Sequence, residues 1–421
     1  MSFQQGLSGL NATSKQLQVI GNNIANANTI GSKVARAEFA DMYAVSLGGS
    51  AASKIGIGVT LADVAQQFTQ GQITSTDNPM DVAINGNGFF QVTDGSGQPP
   101  SYTRDGQFKV DREGFIANNA GLRLMGYMAD ANGVALPGAA VPLQLPTVGI
   151  APSASTRVDL EINLDARQTV TAPATLPAID FADTQTFNNA TSLTVYDARG
   201  QAIPLTYYFQ KSADSTWNVF ATANGTTVAG TDADPQPVTT LTFAPDGSSL
   251  TDPVGDILLD IPSTTDVNGN ATLPLTGVLM RMQGSTQYAA PFGPTNVTQD
   301  GFSAGQMASL TIDEAGMAMA RYTNGQTKPV GQIEMAVFRN PQGLRSLGGN
   351  LWAGTLAAGE PVLGVPGQGN LGTLKSGALE QSNIDLTGEL VAMITAQRSY
   401  QANAQTIKTQ DQVLQTLVNI R

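Results

Sequence analysis

The residues that could carry out chemistry do not complete a catalytic site. Gly301, Ser303 and Gly305 match the G-x-S-x-G pattern of a nucleophile elbow. That pattern needs a histidine to accept the serine proton, and the sequence contains no histidine. A lysine cannot take its place through the known S-x-x-K spacing, because no serine lies three residues before a lysine. We therefore interpret the match as chance.

A metal site is also incomplete. Asp266, Asn268 and Asn270 occupy the first, third and fifth positions of a loop that resembles an EF-hand calcium loop. Ala271 and Gly277 stand where that loop requires Gly and Glu, so a turn is the better interpretation. The chain has no Cys and no His, which are the usual zinc ligands. We expect no enzyme activity, no cofactor and no metal.

The overall composition excludes a nucleic-acid partner. Charged residues make up 13% of the chain, the formal net charge is -12, and Lys and Arg form no cluster. Phosphate binding requires a basic surface, so we expect no binding to nucleic acid. The 45 glycines and the weakly charged surface are typical of a turn-rich β protein or of a protein that packs against copies of itself.

The N-terminal residues do not form a conventional secretion signal. Residues Met1 to Leu17 lack both a basic segment and a continuous apolar segment. No run of 18 apolar residues occurs in the sequence, so we expect no membrane insertion. Any export must use a route that does not cleave an ordinary signal peptide.

Both ends of the chain carry the 3-4 spacing of an amphipathic helix with a coiled-coil stripe. Near the N-terminus the apolar positions are Phe3, Leu7, Leu10, Leu17 and Ile24, with Ser14 and Gly21 in the remaining slots. Near the C-terminus they are Leu386, Leu390, Met393, Tyr400, Ala404, Ile407 and Leu414, with Gln397 and Asp411 as polar interruptions. Either stripe alone also fits the core-facing side of a helix in a globular domain. Stripes at both ends favour an assembly surface.

Between the ends, the period of the apolar residues changes to two and turn dipeptides such as Asn224-Gly225 recur. Leu193 to Tyr196 and Leu205 to Phe209 predict a hairpin joined at Asp197 to Gly200. The middle of the chain is therefore predicted to be all β, and the fold class mainly β with α-helical termini.

A change in charge predicts an inserted domain. Residues 146–285 contain 5 Lys and Arg against 14 Asp and Glu, a net -9 of the total -12. We expect these residues to form an outer acidic β domain inserted in an inner β domain of residues 71–145 and 286–366. Residues 1–32 and 380–421 form the predicted helical assembly domain, and residues 33–70 and 367–379 the connecting segments. Gly48 to Gly58 predicts a flexible joint.

Three segments carry a resemblance to a known family. Residues 22–33, NNIANANTIGSK, resemble the N-terminal signature of the flagellar rod and hook axial proteins, with Ser32 where that family usually has an aromatic residue. Residues 380–386, EQSNIDL, and 393–403, MITAQRSYQAN, resemble the C-terminal signature. Residues 78–90 and 102–106 are similar to segments common to rod and hook members. The signature residues are Asn22, Asn23, Asn26, Asn28, Thr29 and Gly31.

The middle of the chain is more similar to the hook members. Residues 194–197, 284–288 and 320–326 carry this likeness, and the length suits a hook subunit better than a distal rod protein. The resemblance implies a structural subunit that polymerises into a flexible tube and transmits motor torque from rod to filament as a universal joint. A distal rod protein is the alternative, and a secreted β-rich adhesin or binding module using the acidic insert is a weaker one.

The resemblance also implies partners, location and an interface. The partners are other copies of the chain, the distal rod protein, the hook cap and hook-filament junction proteins, and the flagellar type III export apparatus. The location is the flagellar basal body and hook, outside the cell after export. Phe3 and Leu7 resemble an export element, and a purely structural role fits them equally well. The expected coiled-coil interface consists of Phe3, Leu7, Leu10, Leu17, Ile24, Leu386, Leu390, Met393, Tyr400, Ile407 and Leu414.

Overall fold

A computed structural model gives the fold and describes residues 2–43, 56–130, 133–135, 138–146, 148–173, 178–266 and 268–419. The chain divides into two compact units. The first unit consists of Met1–Thr147, Ser309–Arg321 and Thr327–Arg421, and the second of Val148–Ala308 and Tyr322–Gln326.

The N-terminal part of the first unit is one helix followed by short strands. The helix is α1 (Ser2–Ala25). The strands are β1 (Ala35–Tyr43), β2 (Gly56–Gln66), β3 (Ile73–Ser75), β4 (Val82–Asn85), β5 (Phe89–Thr93), β6 (Ser101–Thr103), β7 (Phe108–Val110), β8 (Ile116–Asn118), β9 (Arg123–Met128) and β10 (Val141–Pro142).

The second unit is all β. Its strands are β11 (Arg157–Asn163), β12 (Asn189–Tyr196), β13 (Ala202–Ala213), β14 (Thr216–Ala223), β15 (Thr226–Thr227), β16 (Gly230–Thr231), β17 (Asp234–Pro235), β18 (Thr239–Phe243), β19 (Leu250–Asp252), β20 (Ile257–Ile261), β21 (Leu275–Arg281) and β22 (Gly293–Gln299). The two main sheets run β20-β21-β11-β22 and β12-β13-β14-β18-β19. Trp217, Tyr207 and Leu160 are fully buried in the core of this unit.

The remaining elements lead to the C-terminus. They are β23 (Met307–Ile312), β24 (Met317–Tyr322), β25 (Thr327–Ile333), β26 (Met335–Val337), a short 3-10 helix (Pro341–Gly343), β27 (Arg345–Gly348), β28 (Leu351–Ala353), β29 (Val362–Gly364), β30 (Thr373–Ser376), β31 (Ala378–Glu380) and helix α2 (Leu386–Asn419).

In the largest sheet of the first unit, strands that precede the second unit in the chain pair with strands that follow it. β25 pairs with β9, β26 with β5, and β28 with β6, all antiparallel. Aromatic rings fill the core beside these strands: Phe89 and Trp352 lie 5.8 Å apart and Tyr102 and Phe338 4.7 Å apart, both edge to face. The sheet is complete only when both stretches of chain are present.

The helices begin and end where local chemistry permits. Asp385 Oδ1 accepts the Thr387 amide at 3.0 Å and caps the start of α2, and Glu389 adds an acidic side chain to the first turn. After α1, the Asn26 amide still donates to the Asn22 carbonyl at 3.1 Å before the chain turns away. The prediction of helical termini around a β middle is confirmed, and so is the hairpin, in which Leu193 pairs with Leu205.

The structure differs from the predicted domain limits at three places. The predicted connecting segment 33–70 contains the antiparallel hairpin β1–β2, and the segment 367–379 contains β30, which pairs with β4. The second unit extends to Ala308 rather than Ser285, because β22 pairs with β11 along Val158 to Asn163. A charge count could not detect this, since β22 carries no ionisable side chain.

Part of the predicted flexible joint, residues 48–55, lies outside the described residues. Gly56 and Gly58, at its C-terminal end, belong to β2 rather than to a linker. Pairing with Tyr43 and Met42 of β1 places them in the sheet.

Candidate functional site

Helices α1 and α2 pack against each other in antiparallel orientation. Ile407 lies against Gly6, where a β-carbon would come within 3.1 Å of it. At the other end of the pair, Asn23 Nδ2 donates to Glu389 Oε1 at 3.1 Å. Gly6 and Asn23 are both buried. The order of these contacts along the two helices shows that the chain ends run in opposite directions.

Small and polar residues form this seam. The buried positions Gly6, Thr13 and Ile20 lie seven residues apart on α1. On α2, Ala396 is buried and Asn403 Nδ2 lies 3.4 Å from Thr13 Oγ1. Small side chains allow close approach of the helices, and the contacts found within one chain join Gly6 to the stripe residue Ile407 and Thr13 to Asn403.

The predicted stripe residues are left at least partly accessible. Phe3 and Leu390 are each 46% exposed. The other exposed members are Leu7, Leu386, Tyr400 and Leu414, and the half-buried members are Leu10, Leu17, Ile24, Met393 and Ile407. None is buried in the single chain. Six of the eleven predicted interface residues are therefore exposed on the two helices of a single chain.

Among the described side chains of α2, three further large apolar residues that the 3-4 spacing does not include are exposed: Val391, Ile394 and Val413. Val391 and Ile394 follow the stripe positions Leu390 and Met393 by one residue, and Val413 precedes Leu414. A search for a strict 3-4 spacing discards such neighbours. A wider helical face would have included them.

The hairpin β1–β2 lies along α1. Gln5 Nε2 donates to the Gly56 carbonyl at 2.6 Å, and the Val59 amide donates to Ser8 Oγ at 3.3 Å. These contacts cover another side of α1, and so restrict the accessible part of the helix to the remaining face.

A buried ion cluster joins four distant segments of the chain. Glu380 Oε1 accepts from Lys33 Nζ at 2.6 Å and from the Gly71 amide at 2.8 Å, and its Oε2 accepts from Arg104 Nη1 at 3.2 Å. The side chains of Lys33 and Glu380 are fully buried. Burial lowers the pKa of Lys33 and of Arg104, and Glu380 opposes both shifts. The cluster ties both chain ends to the β sheet of the first unit.

Residues of the two family signatures hold the backbone next to this cluster through hydrogen bonds. Asn23 Nδ2 donates to the Ala35 carbonyl at 2.8 Å, and Asn23 Oδ1 accepts the Ala35 amide at 3.0 Å. Asn383 Oδ1 accepts the Val34 amide at 2.8 Å. Gly31 has φ +70°, and its amide donates to the Glu380 carbonyl at 2.9 Å. A side chain at Gly31 would collide with the Asp105 backbone, so glycine is required there.

The other signature residues act locally or lie at the surface. Asn26 Nδ2 donates to the Asn22 carbonyl at 2.9 Å, and Thr29 Oγ1 lies 3.4 Å from Asn26 Oδ1. Asn28 is exposed. Ser32, at the position of the family's aromatic residue, is buried.

The segment that matches a nucleophile elbow is not one. Phe302 and Gly305 form backbone bridges to Ser153 and Ile150, so the chain is extended there rather than turned sharply from a strand into a helix. The Ser303 carbonyl accepts Asn324 Nδ2 at 2.6 Å. These contacts fix the segment as part of the β framework.

The calcium-like loop is a turn. Asp266 Oδ1 accepts the amides of Asn268 and Asn270 at 2.9 and 2.8 Å, so the turn itself uses this oxygen. Among the described residues, no group of three or more acidic side chains could hold a metal. Within that same part of the chain, no helix has the length and apolar character needed to cross a membrane.

The site consists of paired terminal helices with exposed apolar side chains, joined to a β body by a buried ion cluster. Family profiles cover most of the chain. Residues 3–33 match the flagella basal body rod protein, 83–196 the flagellar hook protein FlgE/F/G D1 domain, 163–302 the flagellar basal body protein FlaE D2 domain, and 375–420 the flagellar basal body rod FlgEFG protein C-terminal region.

Relatives match over the full length. The flagellar hook protein FlgE of Escherichia coli (strain K12) is 39% identical and that of Salmonella typhimurium (strain LT2) 41% identical, each over 100% of both chains. The FlgE of Borreliella burgdorferi is 32% identical over 100% of this chain and 99% of its own. The chain belongs to the flagellar hook protein FlgE family. It is a structural protein of the flagellar hook, not an enzyme, and hook is favoured over distal rod protein and adhesin.

A solved structure supports the fold. The crystal structure of Helicobacter pylori flagellar hook protein FlgE2 aligns with a TM-score of 0.50 and 16% identity, covering 73% of this chain and 99% of that chain. This likeness concerns the mainly β architecture.

Proposed function

We propose that this chain polymerises through the exposed faces of α1 and α2 into a tube, which acts as a flexible universal joint carrying motor torque from rod to filament. The observation that carries the proposal is the exposure of large apolar side chains on both helices, including Phe3, Leu390 and the 60% exposed Val391. Burial of such side chains contributes roughly 1.5–3 kcal/mol each, which a monomer in water does not gain.

The low charge of α1 suits packing among identical copies. Lys15 is the one ionisable side chain between Ser2 and Ser32. In a helical polymer each charge is repeated around the axis, so like charges on a buried helix would repel one another. A nearly uncharged α1 avoids this cost.

Different segments of the chain have different roles in the polymer. Residues 1–32 and 380–421 serve as the assembly domain. The hairpin β1–β2 within residues 33–70 and strand β30 within residues 367–379 join it to the body. The β domains form outer contacts that slide while the inner helices hold. Neighbours at the two ends of the polymer are the distal rod protein, the hook cap and the hook-filament junction proteins. The chain reaches the outside of the cell through the flagellar type III export apparatus, with Phe3 and Leu7 as the proposed export element.

Replacement of Leu10 or Leu390 with Asp tests the assembly surface. An Asp there would bring an unpaired charge into apolar surroundings in every copy, at a cost of several kcal/mol per subunit. We expect negative-stain microscopy to show no tubes. The midpoint of thermal unfolding of the monomer should be nearly unchanged, because neither leucine is buried in the single chain.

Thr409→Asp is the matched control. Thr409 is an exposed residue of α2 outside the stripe, so this variant adds the same charge to the same helix and should still form tubes. Normal polymerisation of both leucine variants would contradict the proposal. A large fall in the monomer's unfolding midpoint would instead assign the stripes to the stability of the single chain.

A further inference from the structure

Two buried oxygen atoms in the sheet of the first unit lack a hydrogen-bond donor. They are Gln91 Oε1 on β5 and Glu334 Oε2, one residue before β26. Gln91 is 5% and Glu334 2% exposed. A buried acceptor without a donor costs free energy, so a pair of them in one place calls for a physical explanation.

The strand register brings these two residues together. Phe90 pairs with Met335 and Phe89 with Ala336, while the Glu334 amide donates to the Met125 carbonyl of β9 at 3.2 Å, so Glu334 lies where β5, β9 and β26 meet, next to Gln91. Side chains alternate along a strand, and therefore Gln91, Phe89, Glu334 and Ala336 share one face of the sheet. Phe89 and Ala336 belong to one buried cluster, which agrees with this assignment.

The other polar contacts of both side chains are made to β9. Tyr127 Oη on β9 donates to Glu334 Oε1 at 2.6 Å. Gln91 Nε2 points to Met125 Sδ at 3.3 Å, also on β9. One polar atom of each side chain therefore has a partner. The two atoms without a partner, Gln91 Oε1 and Glu334 Oε2, are both acceptors when Glu334 is ionised.

We propose that Glu334 is a carboxylic acid in the folded protein and that its proton, on Oε2, is donated to Gln91 Oε1. One proton then satisfies both unpaired oxygens and completes a chain of hydrogen bonds from Tyr127 through Glu334 to Gln91. This chain links β5 and β9, which precede the second unit, to the segment before β26, which follows it. The closure of the sheet is thereby coupled to a proton.

The titratable groups around Glu334 support this state. Tyr127 on β9 faces Glu334 directly. Burial, and then the nearby Glu334 and Glu360, raise the pKa of Tyr102 on β6. Among the described residues, no cation acts on the pKa of Glu334. Burial raises the pKa of Glu334, although the Tyr127 hydrogen bond opposes the shift. Burial raises the pKa of Tyr127 above its ordinary value, so its hydroxyl remains a donor.

The direction of the pH dependence follows from linkage. A carboxyl group with a raised folded-state pKa contributes stability that is fully present below its ordinary pKa, and this contribution is lost as the pH rises through the folded-state pKa. The first unit should therefore lose stability through this group on the alkaline side of about pH 4.3, the ordinary value for Glu.

Glu334→Gln is the decisive variant. Its amide can accept from Tyr127 and donate to Gln91, so it reproduces the protonated acid permanently. We expect the urea midpoint of the variant to equal the wild-type midpoint at about pH 4 and to exceed it progressively at higher pH. Glu360→Gln, at an exposed carboxylate, is the matched control and should show no such growing difference.

Isotope-edited infrared spectroscopy of the full-length wild-type chain tests the proton directly. A carboxylic-acid C=O band should persist at about pH 6, where ordinary Glu side chains are ionised, and should be absent from Glu334→Gln. In Gln91→Leu the band should shift, because its acceptor is removed. An ionised Glu334 at that pH in the wild type overturns the proposal, even if the variants fail to fold. A midpoint difference that does not change with pH also overturns it.

Discussion

The buried ion cluster predicts a large effect of a single charge. Glu380 accepts hydrogen bonds from Lys33, Arg104 and the Gly71 amide. In Glu380→Gln the amide retains one acceptor oxygen and turns its NH2 group towards a cation, so the buried positive charge is no longer balanced. Removal of one partner from a buried ion pair costs about 3–5 kcal/mol. We expect the free energy of unfolding of the first unit to fall by about that amount.

Tryptophan fluorescence can follow this unit alone. The chain has two tryptophans, and Trp217 lies in the second unit. In a Trp217→Phe background the signal comes from Trp352, whose Nε1 donates to Gln66 Oε1 at 2.6 Å in the segment that leads to the cluster. Denaturant unfolding followed by this fluorescence gives the free energy of unfolding of the first unit. The second unit does not contribute to the signal.

The pH dependence of the stability loss in Glu380→Gln tests whether the unbalanced charge of Lys33 causes it. Burial holds the pKa of Lys33 below its ordinary value of 10.5, and loss of Glu380 lowers it further. Between the folded-state pKa and 10.5 the unfolded chain binds more protons, so stability rises with pH in that window. The loss in Glu380→Gln should therefore be smaller at about pH 10 than at about pH 7.

Glu38→Gln is the matched control, since it removes the same charge from a surface pair. The Arg36 and Glu38 side chains are 68% and 42% exposed, and such pairs contribute at most about 1 kcal/mol. An equal loss in the two variants, or a loss in Glu380→Gln that does not change with pH, would refute the assignment of the cluster as a stabilising anchor.

Three further substitutions test separate contacts. Gly31→Ala should destabilise the first unit by about 1–3 kcal/mol, because alanine is strained at φ +70° and meets the facing backbone; a loss below about 0.5 kcal/mol in denaturant unfolding would contradict this. Asn23→Ala removes both hydrogen bonds to the Ala35 backbone and should cost about 1–3 kcal/mol, seen as faster hydrogen exchange of the Ala35 amide; unchanged exchange would show that the clamp is not needed. Trp217→Ala should cost about 3–5 kcal/mol in the second unit alone, and calorimetry that shows a shift of the first unit's transition instead would be inconsistent with the division into two units.

Local patterns in the sequence determined the elements that depend on local geometry. The 3-4 spacing of Phe3, Leu7 and Leu10 indicates a helix because i, i+3 and i+4 side chains share one helical face. The hairpin around Asp197 to Gly200 is specified in the same way, because its turn residues and alternating strands are adjacent in the chain. The family signatures are contiguous segments and could be recognised directly.

The tertiary structure alone decided the contacts between distant residues. Lys33 and Glu380 are 347 positions apart, and neither residue has a neighbour in sequence that indicates its partner. The contacts of Gly6 and Thr13 with α2 escaped prediction because small and polar residues contribute little to an apolar pattern, although they allow the closest approach of two helices. The end of the second unit was set by pairing of β22 with β11, which begin 136 residues apart. Burial and pairing are properties of the closed chain, so a local pattern cannot specify which of many compatible partners is selected.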